Sequence, residues 1–150
     1  PYNISSPLLF HLVSAAKEID EQVFMLQAEV VERMVAKAGS SDFSRLSVML
    51  QARYDMELVL EVPPEAFDPK PKVNSAVVRM IPRQDFDLSD TQWHSLEKVV
   101  AAAFSQRRKM LRTNLQAFTD RLRLTEEELK ARAQDISVDR YIEWAKTLAS

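Results

Sequence analysis

The strongest restriction on the fold is a change of pattern at Pro82-Arg83: strand signals occur before it and stop after it. Gln22–Gln27 (Gln-Val-Phe-Met-Leu-Gln) is a short, almost wholly apolar run, the kind that fits a strand buried on both faces of a parallel sheet. Met56–Val62 alternates apolar and polar residues, and Ser75–Pro82 reads as a further strand. Four prolines (Pro63, Pro64, Pro69, Pro71) stiffen the loop between those two strands. Strand, loop, strand predicts an antiparallel pair added to a sheet of otherwise parallel type. Helical periodicity is predicted at 7–16, with Leu8, Leu9, Leu12 and Val13 inward, at Ala28–Lys37, and at Arg45–Tyr54.

Beyond Asp85 every periodic segment is helical: Asp90–Phe104, Gln106–Phe118, Thr125–Ala133 and Ser137–Ala149. Ser89 with Gln92, and Thr125 with Glu128, have the spacing of capping boxes, in which side chains at the N-cap and third helical positions satisfy each other's backbone N–H. Tyr141, Trp144 and Leu148 share one face of the last helix. The expected fold is α/β plus all-α, with an α/β unit over 1–84 and a small helical unit over 85–150.

Composition excludes several functions. The chain has 150 residues, no cysteine and two histidines, His11 and His94, far apart, so neither a thiolate nor a histidine metal centre is expected. No apolar run is long enough to cross a bilayer. The single glycine, Gly39, rules out a glycine-rich cofactor loop of the usual kind, which needs several residues without a Cβ for backbone to approach a phosphate or nucleoside. Together with a start on Pro1, with no methionine and no lead-in strand, this leads us to expect a piece of a larger protein whose first part is absent. A net charge of −2 gives no overall attraction to nucleic acid, so any such role must come from local clustering.

Three stretches could carry chemistry. Pro1-Tyr2-Asn3 forms a rigid corner: Pro1 donates no backbone N–H, Tyr2 offers a flat face with a polar tip, and Asn3 carries both a donor and an acceptor. Ser6-Pro7 follows as an N-cap with proline at the first helical position. Phe67, on the proline-rich loop, is an aromatic side chain that either plugs the core or covers a ligand. Arg107, Arg108, Lys109 and Arg112 fall within six residues without an intervening acid. On a continuous helix Arg108 and Arg112 share a face, a ridge suited to phosphates, or else a solvated face balanced by Glu126, Glu127 and Glu128. No nucleophile–base arrangement for hydrolysis can be assembled.

Taken together in their order and spacing, five stretches resemble one family over essentially the whole chain. They are Pro-Tyr-Asn-Ile-Ser at 1–5, Phe-Met-Leu-Gln-Ala-Glu-Val-Val-Glu-Arg at 24–33, Arg-Leu-Ser-Val-Met at 45–49, Glu-Val-Pro-Pro-Glu-Ala-Phe-Asp-Pro-Lys-Pro-Lys-Val-Asn-Ser-Ala-Val-Val-Arg at 61–79 and Phe-Ser-Gln-Arg-Arg-Lys-Met-Leu-Arg at 104–112. The family is that of the ribosomal RNA adenine N6-dimethyltransferases acting on small-subunit RNA. The resemblance implies the C-terminal part of a Rossmann-like class I methyltransferase sheet, followed by a helical RNA-docking domain. It implies that Pro1 and Tyr2 are the second half of the family's Asn-Leu-Pro-Tyr motif, and that Pro1, Tyr2 and Phe67 grip a flipped-out adenine. Arg33, Arg107, Arg108, Lys109 and Arg112 are implied to hold 16S ribosomal RNA in the 30S subunit.

S-adenosylmethionine is the implied cofactor, its main contacts lying in the absent part, so that this chain holds no cofactor-binding residue and is inactive alone. No metal and no membrane are implied; the implied protein is a cytoplasmic monomer serving ribosome biogenesis. One departure is Ser44, where the family usually has glycine. Two rival readings are a non-catalytic nucleic-acid-binding or ribosome-assembly factor of the same fold, and a DNA-binding helical module.

Overall fold

A computed structural model describes residues 20–150. The helix expected at 7–16, and Pro1, Tyr2 and Asn3 with it, lie outside the described residues.

The chain enters β1 (Gln22–Gln27), which leads directly into α1 (Ala28–Val35). A connection over 36–44 leads to α2 (Arg45–Gln51), followed by β2 (Tyr54–Val62) and β3 (Ser75–Pro82). The described strands form a three-stranded sheet in the order β1–β3–β2, with β3 antiparallel to both neighbours. Alternation decides its inner face: Phe24 and Leu26, Ala76, Val78 and Met80, and Tyr54, Met56 and Leu58 all turn toward α1 and α2. Those helices answer with Val31, Met34, Leu46 and Leu50.

The antiparallel β2–β3 pair has the form expected, with a register shift between Leu58 and Leu60. The reading of β1 as a strand buried on both faces of a parallel sheet is corrected: its pairing with β3 is antiparallel, and its outer face is open. Val23 is 59% exposed and Met25 46%, because among the described residues no layer covers the outer face of the sheet.

After β3 the chain is helical: α3 (Asp90–Ala103), α4 (Leu111–Asn114), α5 (Thr119–Leu122), α6 (Glu126–Lys130) and α7 (Val138–Ala149). Both capping boxes form as the spacing predicts, at Ser89/Gln92 and Thr125/Glu128. The single helix expected over Gln106–Phe118 does not form. Residues 105–109 make a tight turn, and only Leu111–Asn114 is helical. The Asn114 side-chain amide explains the break, since it donates to the carbonyls of Ala103 and Gln106 at 2.8 and 2.9 Å and folds the chain back on the end of α3. Leu111 and Leu115 are then buried, and the Leu111 N–H donates to the Ala131 carbonyl at 2.8 Å.

Two apolar cores result, and α2 serves both. Leu46 and Leu50 pack with the sheet, whereas Val48, Met49 and Ala52 pack with Leu96, Val99, Val100, Leu111, Tyr141 and Trp144 of the helical part. Aromatic rings run through this second core from Phe43 to Phe104, Tyr141 and Trp144, with centroid separations of 6.4, 6.0 and 5.3 Å. Ser44, the position read as a departure from glycine, has extended backbone at φ −142° and no need of glycine. Its backbone N–H donates to the Ser47 hydroxyl at 3.0 Å, so the Ser47 side chain helps start α2.

Candidate RNA-facing site

Phe67 is placed by the loop between β2 and β3. A 3₁₀ turn at Pro64–Ala66 opens the loop, and its closing bonds run from the Ala66 and Phe67 N–H groups to the Pro63 and Pro64 carbonyls, both at 3.1 Å. Pro64 fits the first position of such a turn because it has no N–H to satisfy. Lys70 and Glu65 pair across the loop at 3.3 Å; both are exposed, so the pair adds little stability. The loop ends at Asn74, whose carbonyl accepts from the Ala28 N–H at 2.9 Å. The loop that carries Phe67, itself half-buried, therefore springs from the end of the sheet where β1 finishes and α1 starts. That end, outside the carboxyl edge of the strand before a helix, is where open α/β sheets hold ligands.

Arg33 is in the last turn of α1, exposed and paired with Glu29 one turn earlier at 2.7 Å. Its charge is shared within the helix, which lowers its availability to an anion. Arg107, Arg108 and Lys109 occupy the tight turn between α3 and α4, and Arg112 lies in α4; all four are exposed. Because the turn replaces a continuous helix, Arg108 and Arg112 do not share a helical face. The cations still form a local cluster, on a turn rather than a ridge.

Arg107 differs from its neighbours, since its guanidinium donates to the Ser41 backbone carbonyl in the α1–α2 connection. That connection makes two further contacts with the helical part. The Gly39 N–H donates to the Gln134 carbonyl at 2.7 Å, and the Phe43 ring packs 6.4 Å from that of Phe104. Gly39 adopts φ +92°, a backbone region that side-chain-bearing residues avoid. The sequence reading found Gly39 only as a count and missed Ser41 and Phe43. A lone glycine in an otherwise glycine-free chain was the available signal.

Phe67 and the cationic turn thus stand on separate loops, connected through α1 and the 36–44 connection. No group of His, Cys, Asp and Glu among the described residues is arranged to hold a metal ion. Gly39, the one glycine of the chain, lies in a surface connection with its N–H committed to Gln134, and nothing lies within 4 Å of where a Cβ would stand.

Comparison of folds gives the class: part of a Rossmann-like class I methyltransferase fold joined to a helical part. Solved structures agree in fold. A dimethyladenosine transferase from Plasmodium falciparum superimposes with a TM-score of 0.80 at 24% identity, over 96% of this chain and 62% of that one. The 23S rRNA methyltransferase ErmE gives 0.65 at 22% identity, over 100% of this chain and 63% of that one. A sequence model described as ribosomal RNA adenine dimethylase matches residues 1–150, and the chain belongs to that family. Curated relatives named ribosomal RNA small subunit methyltransferase A, from Burkholderia mallei and Burkholderia pseudomallei, are 55% identical over 152 residues. The match takes in all of this chain and 55% of each relative, so the chain spans about half their length.

Proposed function

We propose that the complete protein transfers methyl groups from S-adenosylmethionine to the N6 atoms of adenines in small-subunit ribosomal RNA, giving the dimethylated base. This chain supplies the loop that grips the base and the surface that docks the RNA. The placement of Phe67 on the loop that springs from the end of the sheet where β1 finishes carries this reading, because α/β folds of this kind hold their ligands beyond that end.

The physical argument concerns the base. An adenine in a stacked helix presents no accessible N6, so the nucleotide must leave the stack, at a cost of a few kcal/mol. A ring such as Phe67 recovers part of that cost by stacking, on the order of 1–3 kcal/mol per base. Tyr2 is proposed as the opposite ring, and the Pro1 carbonyl as an acceptor for the amino hydrogens. Accepting those hydrogens withdraws the nitrogen lone pair from the purine ring and turns it outward, where it can act as a nucleophile. Holding that nitrogen in line is worth a large part of the barrier. The main contacts to the methyl donor are proposed to lie in the part of the complete protein that this chain does not span, and the 150-residue chain alone is not proposed to turn over.

Arg108, Lys109 and Arg112, with Arg33 as a further candidate, are proposed to meet RNA phosphates; Arg107, expected from the sequence to join them, is given a different role below. The 16S RNA and the 30S subunit are the proposed partners, and the cytoplasm the proposed compartment. Among the described residues no helix is long and apolar enough to cross a membrane. The division between a methyltransferase unit at 1–84 and an RNA-docking unit at 85–150 is proposed on the same basis.

Replacing Phe67 with alanine in the complete protein tests the base grip. Turnover at saturating RNA is expected to fall about tenfold or more while RNA affinity changes little, since one stacking contact among many phosphate contacts is lost. Unchanged turnover would remove Phe67 from the site.

A further inference from the structure

We propose that the connection between α1 and α2 is a strut that positions the RNA-docking turn, and that Arg107 is its anchor rather than a phosphate contact. The inference rests on the docking role proposed above and divides the labour within the cation cluster.

The connection leaves the α/β part and grips the helical part at three separated points. The Gly39 N–H reaches the carbonyl of Gln134, the middle residue of the 3₁₀ turn Ala133–Asp135. The Arg107 guanidinium reaches the Ser41 carbonyl. Phe43, fully buried, packs against Phe104 at the end of α3. Phe104 and Arg107 bracket the start of the docking turn, so two of these grips hold that turn directly.

The connection is itself stiffened. The Ser40 N–H and hydroxyl both donate to the Lys37 carbonyl, at 3.1 and 2.7 Å, and the Phe43 N–H donates to the Ser40 carbonyl at 3.2 Å. It is also rooted in α1 and α2. The Gln51 amide donates to the Met34 and Ala36 carbonyls at 2.9 and 2.7 Å, and the Ser47 hydroxyl donates to the Arg33 carbonyl. The Met34 and Ala36 carbonyls at the end of α1 thereby gain partners, and the Arg33 carbonyl, which also accepts from the Ala36 N–H at 3.4 Å, gains a second.

Chemistry separates Arg107 from its neighbours. Its guanidinium is drawn toward a backbone carbonyl of the other unit, and such a carbonyl carries the partial negative charge a cation seeks. Among the described residues, the side chains of Arg108 and Lys109 make no hydrogen bond or ion pair, and both are exposed. A strut of this kind fixes the distance between the docking turn and the Phe67 loop, so it governs how accurately a docked RNA presents its base.

The experiment compares Arg107→Ala with Arg108→Ala in the complete protein by two readouts. The first is amide hydrogen exchange without RNA. Arg107→Ala is expected to speed exchange at least tenfold at both 39–43 and 105–110, and Arg108→Ala at neither. Unchanged exchange at 39–43 in Arg107→Ala overturns the proposal, whatever the RNA results. The second is the salt dependence of RNA binding with the rate at saturating RNA. Arg108→Ala is expected to lower the slope of log affinity against log salt by about one. Arg107→Ala is expected to keep the wild-type slope and lower the saturated rate several-fold. A slope lowered equally by Arg107→Ala, with its saturated rate intact, also overturns the strut. A wild-type protein without any salt slope would instead defeat the docking role, leaving the exchange result to decide the strut.

Discussion

Glu128 shows how one side chain can close two accounts in the helical part. Its carboxylate accepts from the Thr125 N–H at 2.9 Å, completing the cap of α6, and from Arg140 of α7 through two bonds of 2.6 and 3.0 Å. Arg140 also pairs with Glu143 and lies 5.2 Å from the centre of the Trp144 ring. The Arg140 guanidinium, above all, holds the Glu128 carboxyl below the usual carboxylate range, and the Thr125 N–H adds to this. A depressed folded-state pKa gives stability that is fully present above the unfolded pKa and is lost as pH falls through the folded value. Glu128→Gln is therefore expected to cost about 2 kcal/mol near neutrality, the scale of a partly buried charge-assisted pair. Urea denaturation at a series of pH values should show the gap between the two proteins narrowing below about pH 4. A gap independent of pH would mean that the ion pair is not its source.

Elements were legible in the sequence wherever a local rule had no competitor. Ser75–Pro82 has the bounds its pattern gave, and both capping boxes formed, because alternation and cap spacing are decided by neighbours in the chain. Gln106–Phe118 failed for the opposite reason. Its helical periodicity is real, but the Asn114 amide prefers the carbonyls of Ala103 and Gln106, and the Leu111 N–H prefers Ala131. Those partners are set by tertiary contact and leave no trace in a local window.

In the candidate site, Phe67 and the cation cluster were readable as residue types on a loop and a charge run. The contact of Arg107 with Ser41, 66 residues away, was not. A residual strain belongs at this scale too. Arg123, which ends α5, adopts φ 53° and ψ 55°, the left-handed conformation that glycine tolerates best. Arg123→Gly is expected to stabilise the fold by about 0.5–1 kcal/mol, read as a higher urea midpoint at unchanged slope. A lower midpoint would show that the arginine side chain contributes more than its backbone costs.

At the scale of the whole molecule, α2 is the common wall of the two cores. Phe43, Val48, Met49 and Ala52 belong to the apolar cluster of the helical part although they precede it by more than thirty residues in the sequence. A segment cut at Asp85 keeps its helices but loses that wall, leaving a cavity against Val100, Leu111 and Trp144. Residues 85–150 expressed alone are thus expected to show helical far-ultraviolet dichroism with a broad, weakly cooperative urea transition. A sharp two-state transition from that segment would show that the helical part holds its core without α2.

This double allegiance has an evolutionary consequence. Opposite faces of one seven-residue helix answer to different neighbours, so a volume change on either face is felt by both halves. Neither half is a freely exchangeable module: a graft of the helical part must carry α2 along, and a change of volume on one face of α2 calls for an answering change on the other.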